Sequence, residues 1–187
     1  MGKSDTADLE ISVKGSSEPT ADLGRDGVAE IGVTLRHLLA DVFALHMKTK
    51  NFHWHRSGVH FRDHYLLLDE HVEQIFAMSD DIRERAHKIG EPALRSIGDI
   101  ARHQGLKDSD EESLGPKAML TELRTDNREL PRFLRMAHEV FEEHSDVATA
   151  SLIENWIDET ERADVVFVRN IARSLSGPAL CSDFRLA

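Results

Sequence analysis

The segment from Phe61 to Ile89 constrains the fold more than any other part of the chain. Its positions Phe61, Tyr65, Leu68, Val72, Ile75, Ser79, Ile82, Ala86 and Ile89 are separated by alternating steps of four and three residues. A seam of this period, sustained for about four heptads, is buried when a helix lies lengthwise against other helices. A strand would need alternation at every second residue, and no useful length of that pattern occurs. Gly90 and Pro92 then stop the segment, as helix C-termini often do. The chain is therefore built from long, packed helices.

The same periodicity places three more. A first helix runs from about Gly27 to His53, with Val28, Ile31, Leu35, Leu38, Leu39, Val42 and Leu45 on one face. Gly58 lies in the connection to the second helix. Residues 90–115 form a long connection holding a short helix over Ser96–Arg102, with Ser96 as its N-cap. A third helix begins near Pro116, a favoured first-turn residue, and carries Leu120, Leu123, Leu130, Leu134, Ala137 and Phe141. Pro131 inside it predicts a kink. A fourth runs from near Asp146 to Leu175, with Ile153, Trp156, Thr160, Ala163, Phe167 and Ile171 in register, and Gly177-Pro178 closes it. Residues 1–24 and 177–187 read as tails, and 25–176 as the folded body. Helices of about 25–30 residues, with one long middle connection, predict an all-α fold: a ferritin-like four-helix bundle with one long crossover carrying a short helix.

Composition limits the partners. The chain has 187 residues, 30% of them charged, and a net charge of −11. That charge argues against general affinity for nucleic acid or anionic lipid, both of which need clustered Lys and Arg. The first 24 residues carry Lys3 and Lys14 against Asp5, Asp8, Glu10, Glu18 and Asp22, a net of −3. No apolar run approaches the length of a membrane span, and the N-terminus has no apolar block after a basic start. A single cysteine, Cys181, gives no internal disulfide framework. These features predict a cytoplasmic protein without a membrane partner.

The polar residues beside the seam carry the chemistry. Of eleven histidines, His53, His55, His60, His64 and His71 fall within nineteen residues. At 100° per residue, Tyr65, Asp69, Asp80 and Glu84 share a stripe about 100° wide on the second helix. Carboxylates beside a core seam need a counter-ion or a bound cation. Asp69 and Asp80, eleven residues apart, are separated by about 16 Å along the helix and cannot share one ion within a chain. A second copy packed antiparallel, with its two-fold axis near Gln74 and Ile75, would bring them together twice. A site inside one bundle needs Glu-x-x-His on each of two helices. Only Glu84 to His87 supplies that motif; the fourth helix offers Glu154, Asp158, Glu159 and Glu161 without a histidine. Solvated acids on an exposed face remain the plainer alternative.

The run Asn51-Phe52-His53-Trp54-His55, then Gly58, His60-Phe61-Arg62-Asp63, Leu66-Leu67-Leu68-Asp69-Glu70, Asp80-Asp81-Ile82 and Glu84-Arg85 resembles the signature of the Dps mini-ferritins (DNA protection during starvation). The resemblance extends over about residues 26–176. It implies twelve subunits in a hollow shell, with iron centres at two-fold interfaces where His53 and Asp69 of one subunit face Asp80 and Glu84 of another. It places Trp54 beside the iron. It implies ferroxidase activity: Fe(II) is oxidised to Fe(III), with hydrogen peroxide the favoured oxidant, and stored as ferric mineral. One position departs from the pattern. The family's second histidine, four residues before the aspartate, is Tyr65 here, and His64 is turned 100° away. Tyr65 either ligates the second iron as a phenolate or stays a neutral phenol packed in the seam. Glu142, Glu143, Asp146 and Glu154, near the junction of the last two long helices, are candidates to line an entry pore. The rival readings are a structural, DNA-compacting protein, for which no basic patch is visible, and a ferritin-like carboxylate enzyme acting on an organic substrate.

Overall fold

The structure, a computed structural model, describes residues 23–55, 61–111 and 114–175. Most of both predicted tails, together with Gly58, His60, Gly177, Pro178 and Cys181, lies outside those residues. Five helices are present among them: α1 (Gly24–His55), α2 (Phe61–Lys88), α3 (Ile97–His103), α4 (Pro116–Glu143) and α5 (Val147–Leu175).

Local chemistry sets the ends. Gly90 adopts φ +85°, which lets the Glu91 amide donate back to the Ala86 carbonyl at 2.9 Å and closes α2. Ser96 Oγ accepts from the Asp99 amide at 3.1 Å and starts α3. Pro116 opens α4, where its missing N–H leaves nothing unsatisfied. α4 continues through Pro131, which is buried. α1 begins at Gly24 and ends at His55, slightly longer at both ends than the apolar pattern predicts.

Side-chain pairs fix the topology. Arg36 meets Glu91, His46 packs on Phe76 and His53 on Tyr65, so α1 and α2 are antiparallel. Arg124 meets Asp164 and His138 meets Glu154, so α4 and α5 are too. Lys48 with Asp126 and Glu30 with His144 make α1 antiparallel to α4. The order is up-down-down-up, so the crossover through α3 runs the length of the bundle. The predicted seam of α2 is the core: Leu68, Val72, Ile75, Ser79, Ile82, Ala86 and Ile89 are all buried. Leu68, Ile75, Ile82, Ala86 and Ile89 join Leu35, Leu45 and Phe52 of α1, Leu123 and Leu134 of α4, and Ile153 and Phe167 of α5 in one cluster. Each fully buried Leu, Ile or Phe contributes roughly 1.5–3 kcal/mol. The crossover is tied down by Asp41 of α1, whose Oδ1 accepts the amides of Gly105 and Leu106 at 2.6 and 2.8 Å.

Candidate metal centre

The α1–α2 hairpin brings part of the predicted ligand set together. Near the end of α1, His53 Nε2 lies 3.6 Å from Asp69 Oδ1 on α2, and Lys50 Nζ lies 3.9 Å from the same oxygen. The Tyr65 ring packs on the His53 imidazole with centroids 4.6 Å apart. Tyr65 is exposed beside this pair, whereas His64 turns into the bundle and is buried. That is the consequence of one 100° step along α2. Trp54, next in sequence, is 61% exposed.

Asp80 and Glu84 form a second group, one helical turn apart on α2. Their side chains are 72% and 58% exposed, so within one chain both face outward. Asp80 lies 3.9 Å from Arg83, and Glu84 accepts a 2.8 Å contact from Lys88. The Lys88 hydrogen bond and charge hold the Glu84 carboxyl below the usual carboxylate range. Among the described residues, no three His, Cys, Asp or Glu side chains converge on a common metal position. The chain thus carries an imidazole and a carboxylate at one end of the stripe and two carboxylates at the other. Leu66 and Phe76 lie on the same stripe, and both are exposed.

The histidine cluster divides. His55 is exposed and its Nδ1 donates to the Asn51 carbonyl at 2.9 Å. His71 points inward: its Nε2 accepts from Asn127 Nδ2 at 3.0 Å, and its ring meets Phe167 edge to face. Burial pushes the His71 imidazole down to about 3, so it is neutral at any physiological pH. Burial also lowers His46, packed on Phe76.

The sequence pattern missed the buried ion pairs. Lys48, in the last third of α1, reaches Asp126 at 2.8 Å and Glu122 at 3.3 Å on α4. Burial raises the Asp126 carboxyl, and the Lys48 ammonium opposes that shift. Asp146, read as a pore acid, is corrected: it is buried, caps α5 through the Thr149 amide at 3.2 Å and pairs with Arg85 at 2.6 Å. A carboxylate so enclosed is committed to the α2–α5 contact. Glu142 and Glu154 are exposed and flank His138 at 3.6 and 3.3 Å.

An up-down-down-up bundle with one long crossover, carrying Asp69, Asp80 and Glu84 along one stripe of α2 with His53 of α1 beside Asp69, has the ferritin-like topology. The chain belongs to the ferritin-like family: residues 33–173 match the family's model of a ferritin-like domain. It is 28% identical over 122 residues to DNA protection during starvation protein 1 of Deinococcus radiodurans, spanning 65% of this chain but only 59% of that relative's length. It is 25% identical over 129 residues to the DNA protection during starvation protein of Helicobacter pylori, 69% of this chain and 90% of that protein. Dps from Thermosynechococcus elongatus superposes with a TM-score of 0.76 at 22% identity, covering 84% of this chain and 98% of that one. Dps from Vibrio cholerae, described as one of the ferritin-like diiron-carboxylate proteins, superposes at 0.73 and 19% identity over 77% and 90%. At such identities the superpositions establish the fold, and the resemblance to Dps read from residues 51–85 agrees with the relatives found. Among the described residues, no helix is long and apolar enough to cross a membrane.

Proposed function

We propose that this protein is a ferroxidase and iron store, with Fe(II) as its substrate, and that each oxidation site is completed by a second copy of the chain. The observation that carries this reading is the split ligand set along α2 and the end of α1. His53 of α1 and Asp69 sit at one end, Asp80 and Glu84 at the other; the three carboxylates reach the surface, and the His53 ring beside Asp69 is largely covered. The midpoint between positions 69 and 80 is Gln74–Ile75, so a two-fold axis there sets each group against the other's counterpart. The exposed Leu66 and Phe76 on the stripe, with Trp54 and Met47 on α1, supply apolar area for the contact.

The chemistry follows from the donors. Imidazole suits ferrous iron, and carboxylates favour the harder ferric state. Lys50, Arg83 and Lys88, which neutralise the carboxylates in the single chain, swing aside as the cation takes over their role. Each ferrous ion gives up one electron. A peroxide accepting two electrons and two protons has its O–O bond broken and leaves as two waters. The ferric product hydrolyses and is stored as mineral inside a closed shell of twelve copies, about 250 kDa from a subunit of 21.1 kDa. Duplex DNA binding finds no support in a net charge of −11.

The test is an anaerobic Fe(II) titration of the assembled protein, followed by peroxide or dioxygen and read by absorbance. Rapid oxidation, lost in His53→Ala and in Asp80→Ala, is expected. Loss of a direct ligand should exceed the roughly 10–100-fold effect of losing an outer partner. Variants that oxidise iron at the wild-type rate would overturn the site. Light scattering that shows only monomers at micromolar concentration would overturn the shared geometry.

A further inference from the structure

A second histidine pair lies where the crossover meets the bundle, far from the stripe of α2. His37 of α1 and His103, the last residue of α3, pack edge to face with centroids 5.3 Å apart and planes at 65°. His37 Nδ1 lies 2.7 Å from the main-chain oxygen of His103, and His103 Nδ1 lies 2.8 Å from that of Asp99. A carbonyl oxygen only accepts, so both Nδ1 atoms carry the proton. Each ring in its neutral form therefore keeps its lone pair on Nε2. Histidines that ligate metals are held in this way, with the second ring N–H fixed by a carbonyl or carboxylate.

Two further features point to a cation. Asp41 follows His37 by one helical turn and lies on the same face of α1. Its Oδ1 is occupied by the amides of Gly105 and Leu106, which leaves Oδ2 as its remaining acceptor. His37, Asp41 and His103 line one cavity of about 320 Å³, walled on the α4 side by Phe133 and Met136, without all three converging on one metal position. The ring spacing also fits. Two imidazole nitrogens at 2.0–2.1 Å from one tetrahedral ion place the ring centroids roughly 5.2 Å apart.

We propose that His37 and His103 bind a divalent transition ion of the zinc or cobalt class through their Nε2 atoms, with Asp41 providing the adjacent negative charge and water completing the coordination. Imidazole donors select such ions over magnesium or calcium. His37 precedes His53 by sixteen residues, about 24 Å along α1, so the ion is separate from the iron substrate. It clamps the end of α3 to α1 and fixes the long crossover. The site stands or falls independently of the proposed ferroxidase centre.

The experiment titrates Co²⁺, and separately Zn²⁺, into the full chain by absorbance and calorimetry. Wild type, His53→Ala and the double variant His37→Gln/His103→Gln are compared. The double variant should lose one equivalent of metal per chain, and its Fe(II) oxidation rate should stay close to that of wild type. His53→Ala should keep that equivalent. An unchanged stoichiometry and affinity in the double variant overturns the site and marks the histidine pair as packing alone. If circular dichroism shows that the double variant does not fold, His103→Gln at the exposed end of α3 carries the test. Its affinity for the ion should fall at least about tenfold, and no change refutes the proposal.

Discussion

The two sides of the α1–α2 hairpin hold their polar groups in opposite ways. On the core side, Lys48 meets Asp126 at 2.8 Å, Arg85 meets Asp146 at 2.6 Å and Asn127 donates to His71 at 3.0 Å. On the outer side, His53 and Lys50 stand 3.6 and 3.9 Å from Asp69, and Arg83 stands 3.9 Å from Asp80. Interior groups lose their water on folding, so close pairing is favoured there, although Asn127 Oδ1 is buried without a hydrogen-bond partner among the described residues. The outer carboxylates keep part of their water and, apart from the 2.8 Å contact of Lys88 with Glu84, are held loosely, although the His53 ring beside them is largely covered. A cation can displace a loose contact; it has no route into a closed one. Residue type alone does not separate the two sides, since both have histidine and carboxylate.

The largest effect should come from opening a closed pair. Lys48→Met removes the only ammonium that Asp126 contacts among the described residues and leaves a buried carboxylate already raised by burial. A destabilisation of about 3–5 kcal/mol is expected from urea unfolding. A loss below about 1 kcal/mol would show that the core side is no more closed than the outer side.

Acid should act on the same side. His71 titrates near 3 in the folded protein, against about 6.5 for a free histidine. Below about 6.5 the unfolded chain binds a proton that the native chain refuses until about 3. Stability is therefore whole above that range and falls as the pH drops, by about 1.4 kcal/mol per unit, or about 2 kcal/mol per subunit at pH 5. Unfolding midpoints at pH 7 and pH 5 should converge less in wild type than in His71→Leu, in which this share of the pH dependence is absent. Parallel behaviour of the two proteins would contradict the closed, neutral environment of His71.

The sequence made the apolar seam and part of the outer side legible, and the buried polar pairs of the core side hardly at all. Helical spacing alone puts Tyr65, rather than His64, beside Asp69, and the α2 seam matched burial from Leu68 to Ile89. Ser96, Pro116 and Gly90 announce their helix ends because capping is local chemistry. Asp146 misled because its partner, Arg85, is 61 residues away, and in sequence it stands among solvated glutamates. Lys48, Asp41 and Asp126 interrupt apolar faces without breaking their period, so nothing nearby marks them as buried. His71 belongs to a sequence cluster that folding divides by the direction each residue faces.

Changes on the outer side should be gentler. With Tyr65 as a neutral phenol rather than a ligand, Tyr65→His should strengthen the second iron position and speed oxidation by roughly three- to tenfold. Tyr65→Phe should leave the rate close to wild type. A visible phenolate-to-iron band in oxidised wild type, absent from Tyr65→Phe, would instead make tyrosine a ligand. The smallest effect is expected at Lys88, which competes for Glu84 through an exposed contact that water and salt screen. Lys88→Ala should tighten Fe(II) binding about twofold and barely alter stability; weaker binding would mean that Lys88 positions Glu84 for the metal.

The shared site is tested most directly by mixing two inactive chains. In a pair of one His53→Ala and one Asp80→Ala subunit, one of the two symmetric sites loses both residues, and the other keeps His53 from one chain and Asp80 from the other. Unfolding, mixing and co-assembling the variants in equal amounts makes half the pairs mixed at random, so about a quarter of the wild-type sites return. Fe(II) oxidation by the mixture should rise to about a quarter of the wild-type rate, well above either variant alone. A mixture no faster than its components, once co-assembly has been verified, would contradict a centre built across two copies of α2.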